Sequence, residues 1–460
     1  MAAAALIFQT VSPAPARAGQ DAAGDPGGAH RSSAAPSAGR TDLDTMRDEI
    51  AALRTALDAL RDEVAALRGS PASGPAQAQV PAALPPSDQT AAQVPVEVLQ
   101  AQVEELAQTR VASGSRFPVT LSGTVLSNTV VNTGDANWLE SPNLVGTTAT
   151  GSMTSTLRQS RIGVDVGVIP VGGWNATGRL ILDFFGGTPG FVTGTVMGLP
   201  RLLYAFGRLE HGGTAVEVGQ DHVLLAPRDP TSLAAYAFPQ FFRSGNLYLR
   251  APQVRVEQRL GGVTLSGGIV APVIGDAGPT YVFAPPAGAG ERSERPAFES
   301  RVAYGRGTET SGGEFHAGVS GHYGWSRFGP SLEPSAAGAF DFLARAGWLG
   351  IAGEIYAAED MDAYGAGVAQ RGRSEGGWIE GRLKASSKLS FNGGAGLDRR
   401  PDGTGPASRL RNTSAFGNAI LHFTPEVAVS LEYKWLQTRY GPVPINRENH
   451  HVNAVFAVFF

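Results

Sequence analysis

From Phe117 to Phe460 apolar and polar residues alternate with a period of two, segment after segment. In "EVAVSLEYKWLQ", Val427, Val429, Leu431, Tyr433 and Trp435 fall on one side, and Ala428, Ser430, Glu432, Lys434 and Leu436 on the other. "GEFHAGVSGHYGW" separates Phe315, Ala317, Val319, Tyr323 and Trp325 from Glu314, His316, Ser320 and His322. Successive side chains of a strand point to opposite faces, so each segment reads as a two-faced strand. About 16 such segments fit at roughly 21 residues per strand and connection, an even number as in bacterial barrels. The last ten residues, "HVNAVFAVFF", put Val452, Ala454, Phe456, Val458 and Phe460 in one apolar row.

The second face carries charges of both signs. Arg161 shares a face with Asp165, Arg179 with Asp183, Arg255 with Glu257, Glu299 with Arg301, and Asp341 with Arg345. Glu380, Arg382 and Lys384 do the same. Charges at every other residue cannot build an apolar core and must meet water. The pattern predicts an all-β transmembrane antiparallel barrel over 117–460, apolar outside and wet inside, with an α-helical coiled coil before it. Tyr323, Trp325, Trp348, Tyr433, Trp435 and Phe460 are candidates for aromatic girdles at the membrane interfaces.

Composition allows this. Charged residues are 17% of the chain and mean hydropathy is −0.07. No apolar run approaches the ~20 residues of a membrane helix, a test that barrels escape because their strands alternate. A net charge of −4 gives no footprint for nucleic acid. The absence of cysteine removes disulfides and thiolate metal sites and suits export.

Connections alternate in length. "VGG" (171–173), "EHGG" (210–213), "LGG" (260–262), "SSK" (386–388) and "TPE" (424–426) read as tight turns. Between them come long loops at 133–153, 186–200, 221–246, 272–295, 326–335, 359–374 and 400–408. Short turns on one side and long loops on the other are the habit of outer-membrane barrels. The 221–246 loop mixes Leu224, Leu225, Tyr236, Phe238, Phe241 and Phe242 with Arg228, Asp229 and Arg243, as suits a loop folded into the lumen as a constriction.

Ahead of the barrel, 1–18 reads as a signal peptide with Ala16-Arg17-Ala18 as cleavage site, and 19–40 as disordered. In 41–68, Leu43, Met46, Ile50, Leu53, Leu57, Leu60, Val64 and Leu67 form an unbroken heptad seam. Arg47, Arg54, Arg61 and Arg68 lie at e, with Asp42, Glu49 and Glu63 at g. This predicts oligomerisation and leaves dimer and trimer open. A Pro/Ala/Gln-rich linker (69–94) and a short docking helix (95–110) follow.

No phosphate-binding, metalloprotease or nucleophile-elbow motif is present in the sequence, so no enzyme and no cofactor are expected. His450 and His451 point to opposite faces and suggest no metal site. Glu359, Asp360 and Asp362 are read as a solvated acidic loop.

Several stretches resemble outer-membrane porins, and more narrowly the DcaP-type trimeric porins. They are the N-terminal coil, "SRIGVDV", "GRLILDFFG", "LLYAFGRLE", "VEVGQDHVLLAPRDP" and "LYLRAPQVRVE". The resemblance covers the coil and the first third of the barrel, and the remainder matches as generic porin. It implies a homotrimer in the bacterial outer membrane with the coil in the periplasm, in contact with lipid bilayer and lipopolysaccharide. It also implies recognition of the last strand by the barrel-assembly machinery, and diffusion of small hydrophilic solutes, anions such as carboxylates among them. The arginines near the constriction would be Arg161, Arg179, Arg250 and Arg255. Leu203 stands where such proteins often carry a basic residue. Arg250 shares its parity with Val254 and Val256, so it faces the pore only if a bulge or the loop junction intervenes. The alternative function is an envelope tether whose coil holds peptidoglycan or a partner.

Overall fold

The structure, a computed structural model, describes residues 118–460 except 147, 149, 188–197, 274–286, 309–312, 367–371, 402–408 and 442–444. The predicted signal peptide, coiled-coil seam, linker and docking helix lie outside the described residues.

Alternation is realised as one antiparallel sheet of seventeen segments. They are β1 (Val119–Asn132), β2 (Ser152–Thr156), β3 (Arg161–Val171), β4 (Trp174–Asp183), β5 (Arg201–His211) and β6 (Thr214–His222). Next come β7 (Arg250–Leu260), β8 (Val263–Val270), β9 (Ala297–Thr308), β10 (Gly313–Phe328), β11 (Ser331–Ala346) and β12 (Leu349–Glu359). β13 (Arg373–Lys384), β14 (Leu389–Arg399), β15 (Arg409–Thr424), β16 (Val427–Tyr440) and β17 (Ile445–Phe459) complete it. β2 and β3 lie end to end along β1, which pairs through Asn128–Asn132 with the first and Val119–Thr124 with the second. They make one wall position, so the barrel has sixteen.

Closure comes from β1 and β17, in register from Thr124↔Phe459 to Asn132↔His451. Gly123 and Phe460 exchange both backbone hydrogen bonds, at 2.8 and 3.0 Å. Every strand therefore has two neighbours, and the edges of an open sheet are absent. The faces follow the parity. On β16, Leu431 and Tyr433 are 60% and 46% exposed, while Glu432 and Lys434 between them are buried. On β17, Phe456 is exposed and Val455 and Ala457 are buried.

Three boundaries differ from expectation. The loop expected at 326–335 is a two-residue turn at 329–330, because β10 and β11 continue upward as a ribbon. Gly329 takes the positive φ of 61° that the tip needs. Pro334 is tolerated because β11 pairs with β12 only from Ala336 onward, so its missing N–H has no partner to lose. "NLYLR" is not strand throughout: β7 begins at Arg250, and Leu247 and Tyr248 are buried in the lumen. Finally, residues 152–156 form a strand that begins inside the loop expected at 133–153, and the chain breaks ladder at 157–160.

Candidate pore constriction

Connections at one end of the barrel are two to four residues long, such as 172–173, 261–262 and 425–426. The long ones lie at the other end, and the largest, 223–249 between β6 and β7, turns inward. A backbone entering a lumen needs partners for its N–H and C=O groups, and the charged inward face supplies them. Glu299 on β9 accepts the N–H groups of Leu224 (2.6 Å) and Leu225 (3.2 Å). Glu354 on β12 accepts that of Arg228 (2.7 Å), and Glu380 on β13 that of Thr231 (3.0 Å). Glu432 on β16 accepts the Ser232 hydroxyl at 2.6 Å, the Asn418 amide at 3.0 Å and the Gln240 amide.

Across the lumen the charged anchors are guanidiniums. Arg161 at the start of β3 donates to the Tyr236 carbonyl, and Arg201 on β5 donates to the Ala237 carbonyl at 2.9 Å. Gln159, fully buried in the break between β2 and β3, serves both ends: its amide donates to the Ala234 carbonyl (2.9 Å) and accepts the Ala237 N–H (2.8 Å).

Apolar packing fills the remaining contacts. Leu233 and Ala234 sit on Leu126, Ile420, Ala428, Val455 and Ala457 of the wall, and Phe241 stacks on Trp378 and Phe416. On the side of the long loops, Trp138, Phe185, Phe238, Phe242 and Tyr248 form a ring cluster, with Trp138 and Phe238 centroids 4.1 Å apart. Ala226, Phe241 and Arg243 hold left-handed φ of 49°, 65° and 63°. Each costs roughly 1 kcal/mol or more, which the anchors on both sides offset. Gly245 (φ 115°) presses so closely on β13 that a Cβ would run into the Gly377 carbonyl.

The predicted pore arginines divide into two groups. Arg179 pairs with Asp165 (2.6 Å), and Arg255 with Asp221 (2.7 Å), Glu217 (3.0 Å) and Glu257 (3.3 Å). Arg301 and Arg228 share Asp341, and Arg243 pairs with Asp362 at 2.9 Å. Asp183, expected beside Arg179, instead takes Arg201 at 2.6 Å. Arg161 and Arg250 have no carboxylate within ion-pair distance among the described residues. The Arg161 guanidinium lies 4.5 Å from the Tyr236 ring centroid, and that of Arg250 lies 4.6 and 4.7 Å from those of Tyr204 and Tyr248. Such cation–π contacts contribute about 0.5–2 kcal/mol each. Burial pushes the Tyr236 phenol above its usual range, against the opposing pull of Arg161.

Arg250 reaches these rings because it is the first residue of β7, at the loop junction. Tyr204 shares that site because of a bulge at Leu203, between the pairs Ile181↔Tyr204 and Leu182↔Leu202. The position where a basic residue was looked for is thus a buried wall residue.

The acidic loop is solvated only at Glu359, which is exposed. Asp360 and Asp362 are both buried, Asp362 on Arg243 and Asp360 on the Gly372 N–H (2.8 Å). Burial pushes the Asp360 carboxyl up. Tyr364 beside them donates to Glu299 at 3.0 Å, and burial next to that carboxylate pushes its phenol well up. His450 and His451 do face apart, the first exposed and the second buried. No group of three metal-ligating side chains occurs among the described residues. Of the girdle candidates, Tyr323, Tyr433, Trp348 and Phe460 are 48%, 46%, 60% and 57% exposed on the outer surface, and Trp325 and Trp435 are half-buried beside the tyrosines.

Gln159, Glu354, Glu432, Tyr204 and Tyr248 were missed as constriction residues. For Glu354 and Glu432 the inward parity was the available signal. Gln159 had none, because it stands in a break of the alternation.

A closed sixteen-position barrel with short turns at one end and an inward third loop matches known channels. The outer membrane channel DcaP of Acinetobacter baumannii superposes with a TM-score of 0.59 at 17% identity, over 75% of this chain and 99% of that one. The fold is that of an outer-membrane porin. An anion-selective porin from Comamonas acidovorans superposes with a TM-score of 0.51 at 15% identity, over 75% of this chain and all of the other. No family model matches the sequence, and a search of curated proteins returns no match. Within the porin barrel described here, the predicted third long loop enters the lumen between β6 and β7, and residues 142–145 of the first long loop also meet inward side chains, Lys434 donating to the Pro142 carbonyl and Asn412 to that of Asn143, each at 2.8 Å.

Proposed function

We propose that this chain is a diffusion channel of the bacterial outer membrane for small hydrophilic solutes, favouring small anions such as carboxylates. The observation that carries the anion preference is the pair Arg161 and Arg250. Both flank the lumenal loop, both stack on tyrosines, and neither has a carboxylate within ion-pair distance among the described residues. A solute carboxylate passing the loop would find there two guanidinium forks, the geometry that binds carboxylates in pairs of hydrogen bonds. The heptad seam in 41–68 supports oligomerisation with the coil in the periplasm, and the resemblance to trimeric porins makes the homotrimer part of this reading. Contact with lipopolysaccharide and recognition of β17 by the barrel-assembly machinery belong to the same reading.

The test is the reversal potential of single channels in a potassium chloride gradient. The wild-type chain is expected to pass chloride over potassium, and Arg161→Gln with Arg250→Gln to lose most of that preference. Cation preference in the wild type would sink the anion reading, and efficient insertion with no conductance would sink the channel.

A further inference from the structure

Beside the points where Glu354 and Glu380 anchor the lumenal loop, toward the short turn at 347–348, loop and wall part around a chamber of about 200 Å³. That is room for about six waters. Three strands build its wall. Gly350 on β12 lies opposite Arg345 on β11 and opposite Arg382 on β13 in the ladder, so two arginines flank a residue with no side chain. The loop contributes Arg228, Asp229 and Thr231.

The charges around this chamber fall into two sets. Arg228 is held by Asp341 at 2.6 Å and Arg345 by Glu314 at 2.9 Å. Arg382 has no carboxylate, and exposed Asp229 no basic group, within ion-pair distance among the described residues. Glu380 is only 4% exposed. One of its oxygens accepts the Thr231 N–H, and the other, Oε1, is buried with no hydrogen-bond partner. A buried carboxylate oxygen calls for a donor. Arg382 and Asp229 carry opposite signs and line one cavity, yet they do not meet. A simple anion on Arg382 stands near two carboxylates, and a simple cation on those carboxylates stands near two arginines, so each is opposed as well as attracted. A solute carrying both charges answers all three groups at once.

We propose that this chamber is a binding subsite for small zwitterions of the amino-acid type. The solute carboxylate lies on the Arg382 guanidinium, and its ammonium lies between Asp229 and Glu380 Oε1. The proposal rests on the diffusion-channel reading and deepens it. Arg161 and Arg250, backed by tyrosines, meet an anion, whereas the chamber against β11–β13 holds a solute whose charges cancel.

The test is a saturation-transfer NMR titration of the full chain in detergent with three solutes of one size: L-alanine, L-lactate and L-alaninamide. Alanine is expected to bind saturably, and about tenfold or more tightly than lactate, which lacks the ammonium, or alaninamide, which lacks the carboxylate. Asp229→Asn and Arg382→Gln, neither of which anchors the loop, are each expected to weaken alanine binding about tenfold. Absence of saturable alanine binding overturns the site, as does unchanged affinity in either variant. Lactate binding as tightly as alanine makes it an anion site, and alaninamide doing so makes it a cation site; both overturn the proposal. Single-channel conductance in potassium chloride, measured in parallel, separates the two readings. A wild-type chain that conducts without binding alanine loses this site and keeps the channel. One that binds alanine and inserts without conducting keeps the site and loses the channel.

Discussion

The two walls that grip the lumenal loop do so with side chains of opposite charge. From β9 to β16 the wall offers Glu299, Glu354, Glu380 and Glu432, which accept loop N–H and side-chain donors. From β3 to β7 it offers Arg161 and Arg201, which donate to loop carbonyls. A peptide chain crossing a lumen exposes both groups: the charged anchors are sorted, carboxylates to one wall and guanidiniums to the other, while Asn412 and Asn418 on the carboxylate wall donate to the Arg243 and Thr231 carbonyls. The consequence is electrostatic. Carboxylates on the first wall are consumed by the loop itself, so they are not left to neutralise arginines on the second.

Variants that break this division rank by how many buried partners they strand. Glu432→Ala removes the acceptor of Ser232, Asn418 and Gln240, and leaves buried Lys434 beside an empty space. Loss of roughly 3 kcal/mol is expected, read by urea titration of the folded barrel in detergent, with noisier single-channel current as the loop loosens. Asp341→Asn sharpens the comparison in the other direction. It strips Arg228 and Arg301 of their shared carboxylate, and the reversal potential should move further toward chloride, opposite to the loss expected for Arg161→Gln with Arg250→Gln. Trp378→Phe keeps the ring on Phe241 but removes the indole N–H that donates to Glu354 at 3.0 Å. Roughly 1 kcal/mol is expected in the same urea titration. Arg179→Gln should change stability by less than about 1 kcal/mol, because its pair with Asp165 is exposed and touches no part of the loop. A large loss there would mean that the lower wall, too, carries structure.

Period two is a local signal, which is why barrel, faces and closing strand were legible from residues such as Leu431, Glu432 and Phe456. The loop anchors were not. Glu432 meets Ser232 across 200 positions of sequence, and no periodicity links a carboxylate to the amide it will accept. Charges that looked like pore lining, Asp341 and Arg301 among them, are engaged with each other or with the loop. Asp360 and Asp362 misled in the same way: an acidic run reads as solvated unless its arginine, here Arg243, is known to fold over it. The ribbon of β10 and β11 was hidden by Pro330 and Pro334, whose usual meaning is loop.

The interruption at 157–160 works as a reading-frame shift in the wall. Strict alternation would grant inward positions only to every second residue, yet Arg158, Gln159 and Arg161 all reach partners inside the barrel. The break lets one short stretch place three polar heads where an unbroken strand would place two. A single-residue deletion there would restore the ladder and turn Gln159 or Arg161 outward, so the hold of this wall on the lumenal loop depends on a strand being imperfect at one point.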